Sequence, residues 1–356
     1  MNILRIALMS WLAAVPAWAA DDAATSRPAD TVEFCFAPTP GQVQRSRVAT
    51  TTFGSMRLFG SLPPQKFSQR FEQEVVMKCL RVNPDKTSVF AMTMPAIAMQ
   101  MNLAGIKMEV DTRRPSPATR PEFDIVNRLF SSMTKLECTL TFSPEGEPLK
   151  VEGLSKGMEA VLEELGELAH RPGMKHLIKQ MREFLGDNII EDHLRSTFRM
   201  FPDDGKARVG DTWTREWQMT LPMLNIASQG RGEYELLGVE EFRGRPCAKI
   251  RVKSSMSTLP KAAPGPAKAG DAEPTIFDRM QFSMNASGGN GTAYIDYTTG
   301  DLVQYREVQR ITMEMSIAPD PQASEDEGRE GLAKVSQILN TSVEIDLLDE
   351  KPTSAE

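Results

Sequence analysis

Ile311-Thr-Met-Glu-Met-Ser-Ile317 alternates apolar and polar residues over seven positions, which puts Ile311, Met313, Met315 and Ile317 on one side. A period of two is the pattern of a strand with one covered face and one wet face. The pattern recurs on both sides of this stretch. Upstream, Met280, Phe282 and Met284 share a face, as do Ile250 and Val252, and Trp213, Trp217, Met219 and Leu221; downstream, Val335 to Leu347 reads as a last strand. The Ala/Pro/Gly stretch from Pro260 to Pro274 and the acidic stretch from Pro319 to Glu330 have the composition of surface loops.

Toward the N-terminus, Thr31 to Leu103 alternates in the same way: Val32, Phe34 and Phe36 share one face, and Val75, Met77 and Cys79 another. After a polar, proline-bearing loop, Thr119-Arg-Pro-Glu122 predicts a helix start with Thr119 as N-cap and Glu122 closing a capping box. Phe123, Val126, Phe130 and Met133 supply its apolar stripe. A hairpin follows, from Leu136 to Phe142, through Ser143-Pro-Glu-Gly146, to Leu149–Val151. Next comes the long helical stretch. Met158, Val161, Leu162, Leu165 and Leu168 recur at helical spacing, Met174 to Leu185 makes a second stripe, and Ile190, Leu194, Phe198 and Phe201 a third.

These segments predict an α+β fold: two related, mostly antiparallel curved β-sheet halves joined by a three-helix insert. The first half, with one short helix, runs over 20–153, the insert over 154–201 and the second half over 202–348, with a polar tail at 349–356. The kinship of the halves rests on Phe142-Ser-Pro-Glu-Gly-Glu-Pro-Leu149 and Tyr297-Thr-Thr-Gly-Asp-Leu302, each a strand, a glycine turn and an apolar restart.

Residues 1–19 read as a cleavable signal peptide: Arg5, an apolar run from Ile6 to Trp18, then Ala17 and Ala19 at small-residue positions before the cut. The run is shorter than the roughly 20 residues of a membrane anchor. Cys35 lies too far from Ala20 for a lipid-anchored N-terminus. The expectation is an exported protein, periplasmic or extracellular, not lipid-anchored and without a transmembrane segment. A formal charge of −7, one unit more negative once Arg5 is removed, argues against a nucleic-acid partner and leaves an apolar ligand open. Cys35, Cys79, Cys138 and Cys247 would meet an oxidising compartment, where disulfides persist. Spacing does not choose among the three full pairings. Cys35–Cys79 is preferred because both lie on early strands of the first half; for Cys138, on a face with Leu136 and Leu140, a buried thiol is the alternative.

Phe201-Pro-Asp-Asp-Gly-Lys-Ala-Arg-Val209-Gly-Asp-Thr-Trp213 and Gly291-Thr-Ala-Tyr-Ile-Asp296-Tyr-Thr-Thr-Gly300-Asp-Leu302 resemble a family of exported bacterial proteins, domain of unknown function 6263. The resemblance covers about Thr31 to Leu348, and that family lends no catalytic residues. The layout is also similar, at the level of fold, to the curved sheets of periplasmic lipoprotein carriers that cradle acyl chains.

Three motifs invite chemistry. Gly153-Leu-Ser155-Lys-Gly157 matches a nucleophile elbow between strand and helix, which would make Ser155 the nucleophile of a serine hydrolase. Only His170, His176 and His193 could serve as base, no oxyanion-loop glycines precede Ser155, and a helix N-cap accounts for it more simply. Met92-Thr-Met94 and Met99-Gln-Met101 suggest soft Cu(I) ligation, but the pairs face opposite ways unless Pro95 bends the strand. Val209-Gly-Asp-Thr-Trp213 reads as a turn opening a core-facing strand. The 21 methionines are the broader signal, because thioether side chains suit surfaces that take varied apolar partners. Trp217, Met219, Met284, Met313 and Met315 are the candidate ligand-binding residues. No cofactor is implied. The leading expectation is a non-catalytic protein that binds a lipid, another apolar ligand or a protein partner; the alternatives are the hydrolase and a copper-handling protein.

Overall fold

The computed structural model describes residues 31–57, 63–103, 105–114, 121–164, 166, 200–221, 226–259, 280–317 and 334–348. Its strands are β1 (Val32–Glu33), β2 (Val43–Arg57), β3 (Gln65–Val82), β4 (Ser88–Leu103), β5 (Ile106–Asp111), β6 (Glu137–Phe142), β7 (Pro148–Glu152), β8 (Lys206–Ala207), β9 (Thr212–Leu221), β10 (Ile226–Phe242), β11 (Arg245–Thr258), β12 (Met280–Asp296), β13 (Leu302–Ile317) and β14 (Lys334–Leu348). Two helices stand among the described residues, α1 (Pro121–Met133) and α2 (Leu154–Glu164).

Twelve strands form one sheet in the order β7-β6-β4-β3-β2-β14-β13-β12-β11-β10-β9, with β5 added on β4; β1 and β8 make a separate two-stranded ladder. This corrects the expectation of an α+β fold with two sheet halves and a three-helix insert. The halves are fused, because β2 and β14 pair antiparallel from Ser336↔Arg57 to Leu348↔Arg45. Both strands alternate with the same parity, Thr50 and Thr52 facing Val343 and Thr341, so neither half is left with an edge there. Of the insert, only α2 is helical among the described residues. The stripes over 174–185 and 190–199 lie outside them, and Phe201 sits in a bend. The 1–19 segment and the 349–356 tail also lie outside the described residues.

Two local features follow from single residues. Glu74 pairs with Ala96 but Val76 with Thr93, so β4 carries one extra residue at Met94–Pro95. Proline lacks an N–H for the ladder, and a bulge is where a strand tolerates it. Parity flips there, and Met92 joins Ile97, Met99 and Met101 on one face. Pro121 opens α1 at the first helical turn, where its missing N–H costs nothing. Val126, Leu129 and Met133 are buried beneath that helix, and Phe130 meets Phe71 of β3 edge-on at 6.1 Å.

The sheet is strongly curled. β6 and β13 stand five strand spacings apart, about 24 Å if the sheet were flat. Yet the turns at their ends meet across one ring: a Cβ on Gly146 would lie 3.0 Å from Phe36 Cγ, and one on Gly300 3.1 Å from Phe36 Cδ2. Both glycines are left-handed, at φ +80° and +83°. Phe36 belongs to an extended strap, Val32–Ala37. Phe34 N–H donates to Gly205 O (2.8 Å), Cys35 N–H to Tyr297 O (2.9 Å) and Ala37 N–H to Thr299 O (3.2 Å). Val32 and Phe34 pack with Tyr234, Leu236, Ile250 and Ala293 from one side, and Phe36 packs with Phe90 and Phe142 from the other. The same face of the sheet therefore wraps the strap from both sides, and that face is the concave one.

Candidate functional site

On the concave face each strand presents every second residue, and the register lines these up in rows across the sheet. One row is polar where the rows beside it are mainly apolar. From Arg215 of β9 and Gly232 of β10 it runs through Ser254 of β11, the glycine bulge Gly288–Gly289 of β12, Gln309, Thr341, Thr52 and Gln69, and it ends on Met101 and Met108. On one side lie Met256, Ala286, Ile311, Leu339, Gly54 and Phe67; on the other, Val252, Gly291, Glu307, Val343, Thr50 and Phe71. Ser254, Gln309, Thr341, Thr52 and Gln69 are all buried.

Glu307, from the neighbouring row, reaches Ser254 of the polar row and joins it as the chemical centre of the lane, with 1% of its surface exposed. Its Oε1 lies 2.5 Å from Ser254 Oγ and its Oε2 2.5 Å from Tyr305 OH. Glycines make the space: a Cβ on Gly289 would fall 2.6 Å from Glu307 Oε1, and one on Gly291 2.7 Å from Glu307 Cγ. Burial pushes the carboxyl up to about 8, against the two hydroxyl hydrogen bonds that favour its charged form. Glu307 is therefore mostly a neutral acid at neutral pH. Burial, with Glu307 beside it, also holds the Tyr305 hydroxyl well above its ordinary range.

Gln309 continues the lane. Its Nε2 donates to Ser254 Oγ at 3.3 Å, whereas its Oε1 is buried without a hydrogen-bond partner. Across the seam, the hydroxyls of Thr341 and Thr52 meet at 3.2 Å. Gln69 Nε2 then donates to Met99 Sδ at 3.7 Å. The lane thus starts at a carboxylic acid in the C-terminal half and ends on a thioether in the N-terminal half.

The residues singled out from the sequence sit beside this lane, toward the end of the sheet away from the strap. Trp217 pairs with Gly230, and its ring fills the space that glycine leaves: a Cβ there would lie 2.5 Å from Trp217 Cζ2. Met284 and Met313 pair directly across β12 and β13, Met284 buried and Met313 half-buried. Met219 pairs with Ser228, and Met315 with Phe282 and Val335; the side chains of Met219 and Met315 lie outside the described residues. Sequence reasoning missed Glu307 and Gln309. The signal was present, since both share the parity of Ile311 and so extend its strand with polar residues at core-facing positions.

Other motifs resolve into structure. Ser155 is exposed in the first turn of α2, whose N-terminus is set by Gly153 at φ +100°, not by Ser155 as an N-cap. The three histidines lie outside the described residues. The bulge at Pro95 turns Met92 to the face of Met99, but six register steps, about 20 Å, separate them and one ion cannot bridge that span. Among the described residues no group of three or more His, Cys, Asp and Glu gathers as for a metal. The Cys35–Cys79 disulfide is not formed: no two of the four cysteines are bridged, and Cys35 is exposed while the other three are buried. Cys35 lies in the strap, held to the β12–β13 turn, while Cys79 points into the core beside Phe90 and Leu140.

Val209-Gly-Asp-x-Trp213 is a turn. Gly210 N–H donates to Leu236 O at 2.8 Å, Trp213 stacks on Tyr234 at 5.8 Å, and its Nε1 donates to Met200 O at 3.0 Å. Among the described residues no helix is long and apolar enough to cross a membrane.

Fold and site together define an antiparallel β protein built on one curled twelve-stranded sheet, with a polar lane buried in its concave face. The chain belongs to the family of unknown function DUF6263, which it matches over residues 85–301. Among solved structures it is similar to lipovitellin, described for its lipid–protein interactions, at 8% identity and TM-score 0.37, over 89% of this chain and 26% of that one. The chain thus spans about a quarter of lipovitellin. It is also similar to DynF of the dynemicin biosynthesis pathway of Micromonospora chersina, at 7% identity and TM-score 0.19 over 95% and 91% of the two chains. A DUF1329 family protein from Desulfovibrio piger follows at 9% identity and TM-score 0.16, over 88% of each. At these scores none of the three carries weight here. None of the curated proteins matches this chain.

Proposed function

We propose that this protein is exported and holds an apolar molecule against the concave face of its sheet. The observation that carries the reading is the lane itself. A face that served only as core would be apolar throughout, because each buried polar group costs free energy unless it is fully hydrogen-bonded. Here a carboxylic acid, two amides and three hydroxyls cross the apolar face, and one carbonyl oxygen among them is unsatisfied. Such a mix of apolar rows and a few convergent polar groups is the usual make-up of a small-molecule site. The Met-rich rows around Trp217, Met284 and Met313 supply adaptable surface for the apolar body.

The test is direct. The mature chain is titrated with the apolar fluorophore N-phenyl-1-naphthylamine, and protein purified from its natural compartment is weighed intact by native mass spectrometry. Saturable fluorescence at micromolar probe, lost in Met284→Lys, supports the reading. An unchanged mass together with no saturable binding sinks it. The export part is tested separately: N-terminal sequencing of the natural protein should begin at Ala20, and a retained Met1 overturns it.

A further inference from the structure

The unsatisfied group in the lane is an acceptor. Gln309 is 1% exposed; its Nε2 donates to Ser254 Oγ, and its Oε1 has no hydrogen-bond partner. Turning the amide over would be worse, since it would bury two N–H bonds without an acceptor in place of one lone carbonyl. Whatever completes the lane must therefore bring a donor. It must also be neutral. The lane from Ser254 through Glu307, Gln309, Thr341 and Thr52 to Gln69 contains no lysine, arginine or histidine to balance a buried anion, and the arginine in the same row, Arg215 of β9, stands four strands from Gln309 and is committed to Phe201 O and Asp203. Glu307 sits 2.5 Å from Ser254 Oγ, the same oxygen that Gln309 touches, so a second carboxylate would face both a carboxyl group and a carbonyl oxygen. Beside the lane, Met256, Ala286, Ile311 and Leu339 form an apolar, buried row.

We propose that the concave face selects neutral, hydroxyl-bearing lipids, with the ligand hydroxyl donating to Gln309 Oε1, and discriminates against fatty-acid anions. This rests on the reading above that an apolar ligand binds this face, and deepens it by naming the head group. Glu307, kept largely protonated by its burial, adds no charge that would attract a cationic head.

The experiment is competition against bound N-phenyl-1-naphthylamine at pH 7, with monododecanoylglycerol and 1-dodecanol on one side and dodecanoate on the other. Chain length is matched, so the comparison isolates the head group. The neutral pair should displace the probe at about tenfold lower concentration than dodecanoate, the worth of one good hydrogen bond and an avoided buried charge. Gln309→Leu and Gln309→Met should each erase most of that advantage, with displacement read against each variant's own affinity for the probe. Equal or tighter displacement by dodecanoate overturns the proposal, as does a preference that survives in both variants. If neither variant folds, the wild-type comparison alone decides. A wild-type protein that binds no probe at all removes the parent reading and this one with it; probe binding without head-group preference removes only this one.

Discussion

The two halves of the concave face carry the same lane differently. In the C-terminal half it is built from an acid, two hydroxyls and an amide, packed into space that Gly289 and Gly291 leave open. In the N-terminal half it fades into Gln69 and the thioether of Met99, and α1 closes over it through Phe130 on Phe71. One half keeps hard, titratable chemistry; the other ends it in soft, neutral packing. Because the β2–β14 seam is continuous, the difference comes from side chains alone and can be probed one residue at a time.

The largest effect belongs to Glu307. Its folded-state value of about 8 stands above the ordinary 4.5, so between those values the folded protein holds a proton that the unfolded chain has lost. Stability from this group is full below about pH 4.5 and is lost as pH rises through 8, at about 1.4 kcal/mol per unit and up to about 5 kcal/mol in all. Urea denaturation at pH 5, 6, 7 and 8 should show that decline, and Glu307→Gln should flatten it. Gln69→Leu, at the other end of the lane, should leave the slope untouched. A flat wild-type profile would mean that Glu307 is ionised in the fold.

Packing gives the next contrast. Phe90 is 1% exposed between Phe36 and Phe142, so Phe90→Ala should cost about 3–5 kcal/mol as a cavity in a closed core. Met313 is half-buried, and Met313→Ala should cost below about 2 kcal/mol while weakening probe binding. Equal losses at the two sites would make the Met-rich end solid core and would remove the apolar surface on which the proposed function depends.

At the seam itself, Thr52 and Thr341 form the one hydroxyl pair that links the halves of the lane. Thr52→Val alone strands the Thr341 hydroxyl and should cost about 1–3 kcal/mol; the double Thr52→Val/Thr341→Val should cost less than the sum of the singles, because no buried donor is left unpaired. Additive singles would show that the two hydroxyls do not depend on each other.

How much of this was legible is clearest along one strand. The alternation from Ile311 to Ile317 identified β13 and its covered side, and the same parity carried back to Tyr305 contains Glu307 and Gln309. They went unread because a polar residue at a core-facing position looks, in one sequence, like the end of a strand. The hairpins at Gly146 and Gly300 were legible from turn chemistry, but not their meeting across Phe36, since curl is a property of the whole sheet. Nor does pattern show that β2 and β14 pair, because partners almost 300 residues apart leave no local trace. Likewise the Pro95 bulge was foreseen as a condition, and its consequence, Met92 joining the face of Met99, needed the β3 register.

The smallest effect in energy concerns the thiols, and it separates the halves by exposure. Cys79, in the N-terminal half, is buried, its thiol 3.9 Å from Arg81 O, and burial raises its pKa. Cys247, in the C-terminal half, is pushed up to about 11, chiefly by burial and then by the Asp296 carboxylate nearby. The thiolate is the reactive form, so both should be inert in the folded protein. Cys138 is buried as well, and only Cys35, in the strap, is exposed. Native protein treated with an aromatic disulfide reagent should therefore release one equivalent rapidly, and Cys35→Ser should abolish that phase with little change in stability. Denaturant should expose the remaining three. If protein taken from an oxidising compartment instead gives no rapid phase and only two thiols in denaturant, then Cys35 has found a partner. Because Cys79 faces the core and Cys35 the β12–β13 turn, such a bond would require the strap to lift from Tyr297 and Thr299, and with it the clasp that holds the curled sheet at this end.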